Sequence, residues 1–332
     1  MELSGRRPGL IVRLKLFFHD ACFDGTASAA LFSAFYRGRE PGAVIDPIGM
    51  RHQLGDPFAD VAVDGDDNAC VDFRYAADPR MRWWFDHHAT AFQPPALRTD
   101  YESRTGDTMA FDPAAPSCAG LITRTLATRF GWRVPPHLAE LTTWADTIDA
   151  AAYDSASAAC ALDAPAQRLA LWLGANREPR ALARYIDELA RDGLGALAAA
   201  DWIAPVLGPA LARRERDRDT WTRLGQTIGQ VVMFDLLGTD LPPPGFSAYD
   251  LFRSCTYTVT LGRTDTAVKV GVGHNPWGPG AREGRAHDLG ALCEGFGGGG
   301  HAAVGGVTLP ADAVDRGRAV AAAIIARLSD ER

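Results

Sequence analysis

An α/β fold is predicted for this 332-residue chain, with an N-terminal, mostly parallel sheet covered by helices, a helical connector, and a smaller C-terminal α/β domain with a mixed sheet. Three observations predict it. Strand-length apolar runs alternate with helical stretches in the first half, only helical patterns follow, and short β-rich runs broken by glycine and proline come last. We therefore expect a first domain at 1–180, a connector at 181–228 and a second domain at 229–332.

The first half contains four predicted strands and two clear helices. The strands are LIVRLKLFF (10–18), the segment around AVIDPIG (43–49), NACVDF (68–73) and MRWWF (81–85). The alanine content and spacing of TASAALFSAFYR and SCAGLITRTLATRF predict helices. Because such alternation is typical of sheets covered on both faces, we expect these strands to be mostly parallel.

The second half has a different order of predicted helices and strands. Residues from about 180 to 228 predict successive helices that connect two domains. The runs QVVMFDLL, TYTVTLG and TAVKVGVG predict antiparallel strands, and LPPPG indicates a loop. A C-terminal helix is expected to begin near Asp312.

Composition narrows the classes of function. With 47% hydrophobic and 23% charged residues, the chain is typical of a globular protein. A formal net charge of -7 disfavours long duplex nucleic acid and favours small anionic substrates. The six cysteines form no C-x-x-C pair, which argues against disulfides and indicates a reducing cytoplasm. The sequence shows no signal peptide or apolar run of about 18 residues, so no membrane partner is expected.

Acidic and histidine side chains collect where the predicted strands end. They are His19, Asp20 and Asp24 after the first strand, Asp72 in NACVDF, Asp86, His87 and His88 after MRWWF, and Asp146 with Asp149 in TTWADTIDAA. Because ligands bind outside the carboxyl ends of strands in open α/β sheets, these side chains should converge. Such a cluster repels itself unless it is protonated or binds cations. A mixed oxygen and imidazole set suits Mn²⁺, and it also accepts iron, cobalt or zinc.

Each of these residues also has an ordinary explanation. A single aspartate after a strand is most often a turn residue or a helix cap, and adjacent histidines are common at surfaces. The placement of every member at one edge of one sheet favours the metal site over these separate explanations.

Two signatures, one in each half of the chain, carry a family resemblance. The H-x(4)-D-G pattern at 19–25, VDF at 71–73 and FDHH at 85–88 resemble the DHH phosphoesterase superfamily. FGGGGHAAVGG at 296–306 resembles the glycine-rich signature of the DHH-associated second domain in the bacterial exonuclease and oligoribonuclease members. The resemblance covers most of the chain. It implies a metal-dependent phosphodiesterase or phosphatase in which a metal-activated water attacks phosphorus.

The resemblance also implies roles for the strand-end residues. His19 and Asp24 become metal ligands, Asp72 bridges two metals, and Asp86 and His87 form the third-strand group. His88 either holds the metal ligands in position without binding metal itself or orients the scissile phosphate. The resemblance makes His88, Asp86 and His301 the expected catalytic residues. Asp146 fits the family's Asp-Thr pattern and is preferred over Asp149 as the fourth-motif ligand. Two Mn²⁺ ions are expected, with Mg²⁺, Co²⁺, Fe²⁺ or Zn²⁺ as alternatives.

Substrate binding is assigned by the same resemblance to the second domain. His301 and the backbone N–H groups of Gly297, Gly298, Gly299 and Gly300 would hold a terminal or scissile phosphate across an interdomain cleft. Arg285 is a further candidate, although Arg282 is close to it in sequence, and Asn275 is another. A cleft would select short oligonucleotides, cyclic dinucleotides or a nucleotide bisphosphate. A single-strand exonuclease and a catalytically impaired nucleotide-binding regulator are the alternative functions, and a homodimer is an open option.

The first motif departs from the family. Most members of that family carry two aspartates spaced two residues apart, whereas this chain has Cys22 at the first place and Asp24 at the second. Three explanations stay open: Asp20 reaches the site, Cys22 is a ligand, or one metal is bound weakly. The number of metals is therefore open.

Overall fold

The computed structural model describes residues 11–329, except 21, 52–55, 105, 177, 280 and 282–286. The chain forms two compact units. The first comprises residues up to Ala152 together with Ala164–Leu207, and the second comprises Tyr153–Asp163 together with residues from Gly208 onward. Among the described residues, no helix is both long enough and apolar enough to cross a bilayer.

A parallel sheet of five strands, in the order β2-β1-β3-β4-β5, forms the centre of the first unit. The strands are β1 Arg13–His19, β2 Val44–Met50, β3 Asp67–Val71, β4 Trp83–Asp86 and β5 Met109–Phe111. The parallel sheet confirms the predicted fold class. Strand β5 was not predicted, because three residues are too few to show a period.

The helices of the first unit are α1 Phe23–Arg39, α2 Leu97–Arg104, α3 Cys118–Phe130, α4 Ala139–Asp149, α6 Pro165–Ala175 and α7 Pro179–Ala198, with a 3₁₀ turn at Pro136–Leu138. Helix α1 packs against α3, α4 and α7, and its residues from Phe23 to Ser33 are all buried. Its alanines, serines and glycine have small side chains, which allow this close packing. The start of α1 therefore lies inside the core.

Adjacent tryptophans in β4 fix the sheet between its two layers, because successive strand residues point to opposite faces. Trp83 packs edge-on against Phe32 and Phe35 of α1. Trp84 packs against Tyr75 and Tyr101 on the other face. Burying one large side chain contributes roughly 1.5–3 kcal/mol, so this pair holds the strand that ends in Asp86.

The second unit contains a mixed sheet of six strands in the order β10-β11-β9-β8-β7-β6. The strands are β6 Gln226–Ile228, β7 Val231–Asp235, β8 Tyr257–Arg263, β9 Ala267–His274, β10 Gly299–His301 and β11 Val304–Pro310. The remaining helices are α5 Ala156–Cys160, α8 Ala204–Leu224, α9 Phe246–Leu251, α10 Leu289–Glu294 and α11 Val314–Ser329. Helices α7 and α8 occupy most of the range predicted as a connector.

One pairing differs from the prediction. Strands β8 and β9 are antiparallel as expected, but β7 and β8 are parallel. The segment between β7 and β8 contains LPPPG and α9, and parallel neighbours need such a crossover. The antiparallel expectation for this pair was therefore wrong.

Candidate metal centre

The candidate site lies at the carboxyl edge of the parallel sheet. In the strand register, Phe18 of β1 is paired with Val71 of β3, which is itself paired with Phe85 of β4. The next residues along these strands are His19, Asp72 and Asp86, so the three stand in one row. The parallel arrangement of the strands thus brings together side chains that are far apart in sequence.

Asp72 occupies the centre of this row. Its side chain is 1% exposed, and neither carboxylate oxygen has a hydrogen-bond partner among the described residues. Oδ2 lies 3.5 Å from Nδ1 of His19, and Oδ1 lies 3.6 Å from Nε2 of His87. Burial, followed by the charge of Asp24, raises the pKa of Asp72 well above its usual range. A buried carboxylate without hydrogen bonds is costly, so this geometry fits a bound cation.

The backbone at Asp72 is also unusual. Its φ of +55° lies in the left-handed region, which aspartate and asparagine tolerate better than most residues. Its N–H donates to the carbonyl of Phe85 at 2.9 Å, which continues the ladder between β3 and β4. The sheet therefore holds the turn that directs this carboxylate inward.

Asp24, His87 and Asp149 form one candidate ligand group, with one atom of each within 4.8 Å of the others. Nδ1 of His87 lies 3.0 Å from the carbonyl oxygen of Ala115. Since a carbonyl only accepts, Nδ1 carries the proton, and Nε2 is the ring nitrogen whose lone pair can serve a metal ion. Nε2 lies 3.5 Å from Asp24 Oδ2 and 3.4 Å from Asp149 Oδ2. Fixing the tautomer through the other ring nitrogen is typical of histidine metal ligands.

Asp24 has a second role in the fold. Its two carboxylate oxygens accept from the backbone N–H groups of Cys118 at 2.7 Å and Ala119 at 2.9 Å, at the start of α3. The start of a helix has unsatisfied N–H groups and attracts negative charge. Asp24 on α1 therefore caps α3 as well as facing His87.

The two aspartates of α4 lie in different surroundings. Asp149 faces His87, and its side chain is 26% exposed. Burial, followed by the charge of Asp24, raises the pKa of Asp149 to about 7. Asp146 accepts instead from Ser117 Oγ at 2.5 Å, and Ser117 in turn caps α3 by accepting from the N–H of Gly120. Among the described residues, Asp149 belongs to a candidate metal group and Asp146 does not.

Asp86 and His88 form a tight ion pair. Asp86 is fully buried, and its Oδ1 lies 2.7 Å from Nδ1 of His88 and accepts from two backbone N–H groups. Burial lowers the pKa of His88, but the charge and hydrogen bond of Asp86 outweigh it and raise the value to about 9. Burial raises the pKa of Asp86, but the charge of His88 outweighs it, so the pKa lies below its ordinary value. His88 is therefore a cation at neutral pH.

Asp20 and Cys22, the two candidates for the missing ligand of the first motif, lie in different surroundings. Asp20 is 6% exposed, and its Oδ2 accepts from Nε of Arg51 at 2.5 Å. Within the described part of the chain, Asp20 belongs to none of the candidate metal groups. Cys22 does: its Sγ, a ring nitrogen of His19 and an oxygen of Asp72 lie within 4.8 Å of one another. Burial, followed by the charge of Asp72, raises the pKa of the Cys22 thiol well above its usual range.

The glycine-rich segment of the second unit lies in a hairpin. Gly299, Gly300 and His301 form β10, the edge strand, which pairs antiparallel with β11. A Cβ on Gly298 would lie 2.1 Å from the carbonyl oxygen of Gly306, and one on Gly300 would lie 2.3 Å from that of Val304. Close approach within the hairpin therefore accounts for these two glycines without any ligand. Gly297, with a φ of +83°, precedes the hairpin.

The other two predicted substrate residues differ in status. Asn275 is 1% exposed; its Nδ2 donates to the carbonyl of Cys255 at 2.9 Å, and its Oδ1 accepts from the N–H of Trp277 at 3.0 Å. The amide group thus fixes a turn of the second unit. Arg285 lies outside the described residues, as does its neighbour Arg282.

Sequence reasoning missed two residues that shape the site. Ser117 connects α3 to Asp146, and its position before an alanine-containing helix is a recognisable N-cap pattern. Arg51 pairs with Asp20 from the end of β2. No local pattern indicates this pair, because it forms only when β1 and β2 lie side by side.

The fold has known relatives, although no protein-family model and no curated protein matches the sequence. The pGpG-specific phosphodiesterase PggH from Vibrio cholerae aligns over 97% of this chain and 100% of its own, at 17% identity and a TM-score of 0.59. The DHH domain of a protein described as a member of a family of ribosomal proteins covers 97% of this chain and 87% of its own, at 13% identity and a TM-score of 0.59.

RecJ from Thermus thermophilus, in complex with Mn²⁺, aligns over 95% of this chain at 16% identity and a TM-score of 0.55. This chain spans 52% of that RecJ chain. At these identities the similarities establish a shared fold.

Proposed function

We propose that this chain, whose fold is that of DHH-domain proteins, is a metal-dependent phosphoesterase acting on small nucleotides. Its substrates would be short oligonucleotides, cyclic dinucleotides or a nucleotide bisphosphate. The observation that carries the proposal is Asp72, a buried carboxylate whose two oxygens lack hydrogen-bond partners among the described residues and face a histidine on either side. The similarity of fold to a pGpG-specific phosphodiesterase supports the substrate class.

Two ions would be held on either side of Asp72. We assign His19, Asp72 and residue 22 to one ion. Asp24, Asp72, His87 and Asp149 are assigned to the other. When bound, divalent ions supply an activated water and neutralise charge on the phosphoryl group. The oxygen and imidazole donors suit Mn²⁺, and RecJ, which shares the fold, is a Mn²⁺ complex.

Asp149 rather than Asp146 is our choice for the fourth-motif ligand. Asp149 faces His87 Nε2, whereas Asp146 accepts from the hydroxyl of Ser117. Moving Asp146 into the site would break that hydrogen bond and leave the hydroxyl proton of buried Ser117 without this acceptor, which costs about 1–3 kcal/mol. Geometry therefore opposes the preference drawn from the Asp-Thr pattern.

The protein itself would bind and orient the phosphate. His88 is held by Asp86 as a cation, so it can attract a phosphate oxygen through the other proton of its imidazolium ring. Asp86 acts through His88 and is a positioning residue in this scheme. His301 and the backbone of Gly297–Gly300 stay proposed as substrate contacts on the strength of the motif resemblance. We propose no substrate contact for Asn275, because both ends of its amide group fix a turn.

A hydrolysis screen tests the proposal. Purified protein would be stripped with EDTA, resupplied with Mn²⁺, and given dinucleotides to decamers, cyclic dinucleotides and adenosine bisphosphate. We expect turnover of the small substrates that EDTA abolishes and Mn²⁺ restores. Asp72→Asn tests the site and should be inactive. Asp146→Asn is its matched control and should keep its metal.

Two outcomes would replace this function with another. Equal degradation of decamers and dinucleotides would indicate a single-strand exonuclease, and RecJ, which shares the fold, is named an exonuclease. Nucleotide binding without turnover in saturating Mn²⁺ would indicate a regulator that has lost catalysis. Full activity of Asp72→Asn would remove the proposed site altogether.

A further inference from the structure

We propose that Cys22 is a metal ligand, so that the first ion position is a thiolate site for a thiophilic divalent ion such as Zn²⁺, Fe²⁺ or Co²⁺. The thiolate would share the ion with a ring nitrogen of His19 and an oxygen of Asp72. This inference rests on the proposed function in one respect, namely that the acidic edge of the sheet binds ions. It adds that the two ion positions differ in chemical preference.

The geometry of the three donor atoms supports one shared ion. Sγ of Cys22, a nitrogen of His19 and an oxygen of Asp72 lie within 4.8 Å of one another. Zinc bonds are about 2.3 Å to sulfur and about 2.0–2.1 Å to nitrogen or oxygen, so two ligands of one tetrahedral ion are about 3.3–3.6 Å apart. Side-chain adjustments of about 1 Å or less would therefore complete the site.

Asp72 provides the second, independent observation. It is 1% exposed, and neither of its oxygens has a hydrogen-bond partner in the described part of the chain. A cysteine alone would not indicate a site. A buried carboxylate that lacks hydrogen-bond partners in the described part of the chain and lies near both the thiol and an imidazole does indicate one, because a cation would satisfy all three groups.

The side chain of Cys22 is not taken up by capping the helix that follows it. It stands at the N-cap position of α1, where its side chain makes no capping hydrogen bond. Other cysteines of the first unit contact backbone carbonyls. Sγ of Cys118 donates to the carbonyl oxygen of Phe85 at 3.3 Å, and Sγ of Cys70 lies 3.9 Å from the carbonyl oxygen of Phe73. The thiol of Cys22 thus makes no capping hydrogen bond, and its sulfur lies near donor atoms of His19 and Asp72.

The donor sets then predict different ions at the two positions. His19, Cys22 and Asp72 offer nitrogen, sulfur and oxygen, a set that favours zinc, iron and cobalt over magnesium. Asp24, His87 and Asp149 offer two oxygens and one nitrogen, a harder set. Because residue 22 carries a thiol where most family members carry a carboxylate, Mg²⁺ should bind more weakly at the first ion position and not at the second.

Cobalt titration of the metal-free, full-length protein tests the assignment. A cobalt–thiolate bond produces a charge-transfer band in the near ultraviolet, and equilibrium dialysis counts the bound ions independently. We expect the band in the wild type and in Cys160→Ser, the matched control, because Cys160 is also a partly exposed free cysteine but lies in the second unit. The band should be absent from Cys22→Ser.

A second variant keeps the test decisive if serine perturbs folding. Cys22→Asp should bind cobalt without the band and should bind Mg²⁺ at least about tenfold more tightly than the wild type. Cobalt bound to the wild type without a band would exclude Cys22 as a ligand and leave the proposed function intact. Failure of the wild type to bind any cobalt would overturn both, and an unchanged band in Cys22→Ser would overturn the inference alone.

Discussion

Neutralising Asp149 should stabilise the metal-free protein while removing one ion. In the wild type without metal, the pKa of Asp149 rises from an ordinary 3.8 to about 7 because of burial and the charge of Asp24. Between these two pH values the folded chain holds a proton that the unfolded chain has lost. Stability therefore falls as pH rises from about 4 to 7, and it is regained as pH falls. Asp149→Asn carries no such proton and escapes this loss.

The size of the effect follows from the two pKa values. A pKa difference of about 3 corresponds to about 4 kcal/mol, since each unit is about 1.4 kcal/mol. Metal-free Asp149→Asn should therefore exceed the metal-free wild type in unfolding free energy by up to about 4 kcal/mol at pH 8 and by up to about 2 kcal/mol at pH 5, because solvent screens part of the charge of a side chain that is 26% exposed. Saturating Mn²⁺ should stabilise the wild type much more than the variant, because bound ligand stabilises the folded state.

Urea unfolding followed by circular dichroism, in EDTA at pH 5 and pH 8, measures both differences. Asp146→Asn is the matched control on the same helix. It should be destabilised by about 1 kcal/mol at both pH values, through the weakened hydrogen bond from Ser117, and should keep its metal. An Asp149→Asn variant that is no more stable than the wild type at pH 8, or that retains full Mn²⁺ affinity, would refute the reasoning.

Three further predictions concern Asp72, the hairpin that contains His301, and helix α1. Asp72→Asn should lose at least one bound ion and nearly all activity while remaining folded, since asparagine tolerates the φ of +55°; metal analysis and circular dichroism check this, and wild-type metal content would contradict it. His301→Ala should raise KM or lower kcat without changing metal content, because His301 belongs to the second unit; loss of metal would contradict that placement. Gly25→Ala should lower stability by more than about 2 kcal/mol, because its Cβ would lie 2.1 Å from the carbonyl oxygen of His19. Gly38→Ala, at an unobstructed site of the same helix, should instead raise stability by about 0.5–1 kcal/mol in thermal unfolding.

The row of strand-end residues was predictable because it follows from strand order alone. Once β1, β3 and β4 are recognised as parallel, the residues that follow them must share one edge. The structure places His19, Asp72 and Asp86 there, and β5 escaped notice only because it is short. Long apolar runs and their ends are readable from one sequence.

The choice between neighbouring aspartates was not predictable. Asp146 and Asp149 are three residues apart on one helix, and their surroundings are decided by Ser117 and His87, which come from other elements. The same holds for Asp20, whose partner Arg51 comes from β2. Distances between elements, rather than any local pattern, decide which carboxylate joins the cluster.

The strand that the glycine run forms with β11 was not predicted from the sequence. Glycine has low strand propensity, yet Gly299 and Gly300 lie in an edge strand because β11 pairs with them. Pairing with a neighbour overrides propensity here. The parallel pairing of β7 with β8 was also not predicted from strand composition, because the crossover segment between the two strands sets their relative direction.

The double engagement of Asp24 has an evolutionary consequence. This carboxylate faces His87 and also accepts from two N–H groups of α3, so any replacement disturbs the scaffold as well as the site. Cys22, two residues earlier, caps nothing. Over evolution the side chain at position 22 can therefore change at little cost in folding, whereas position 24 should resist drift even where the site binds no metal.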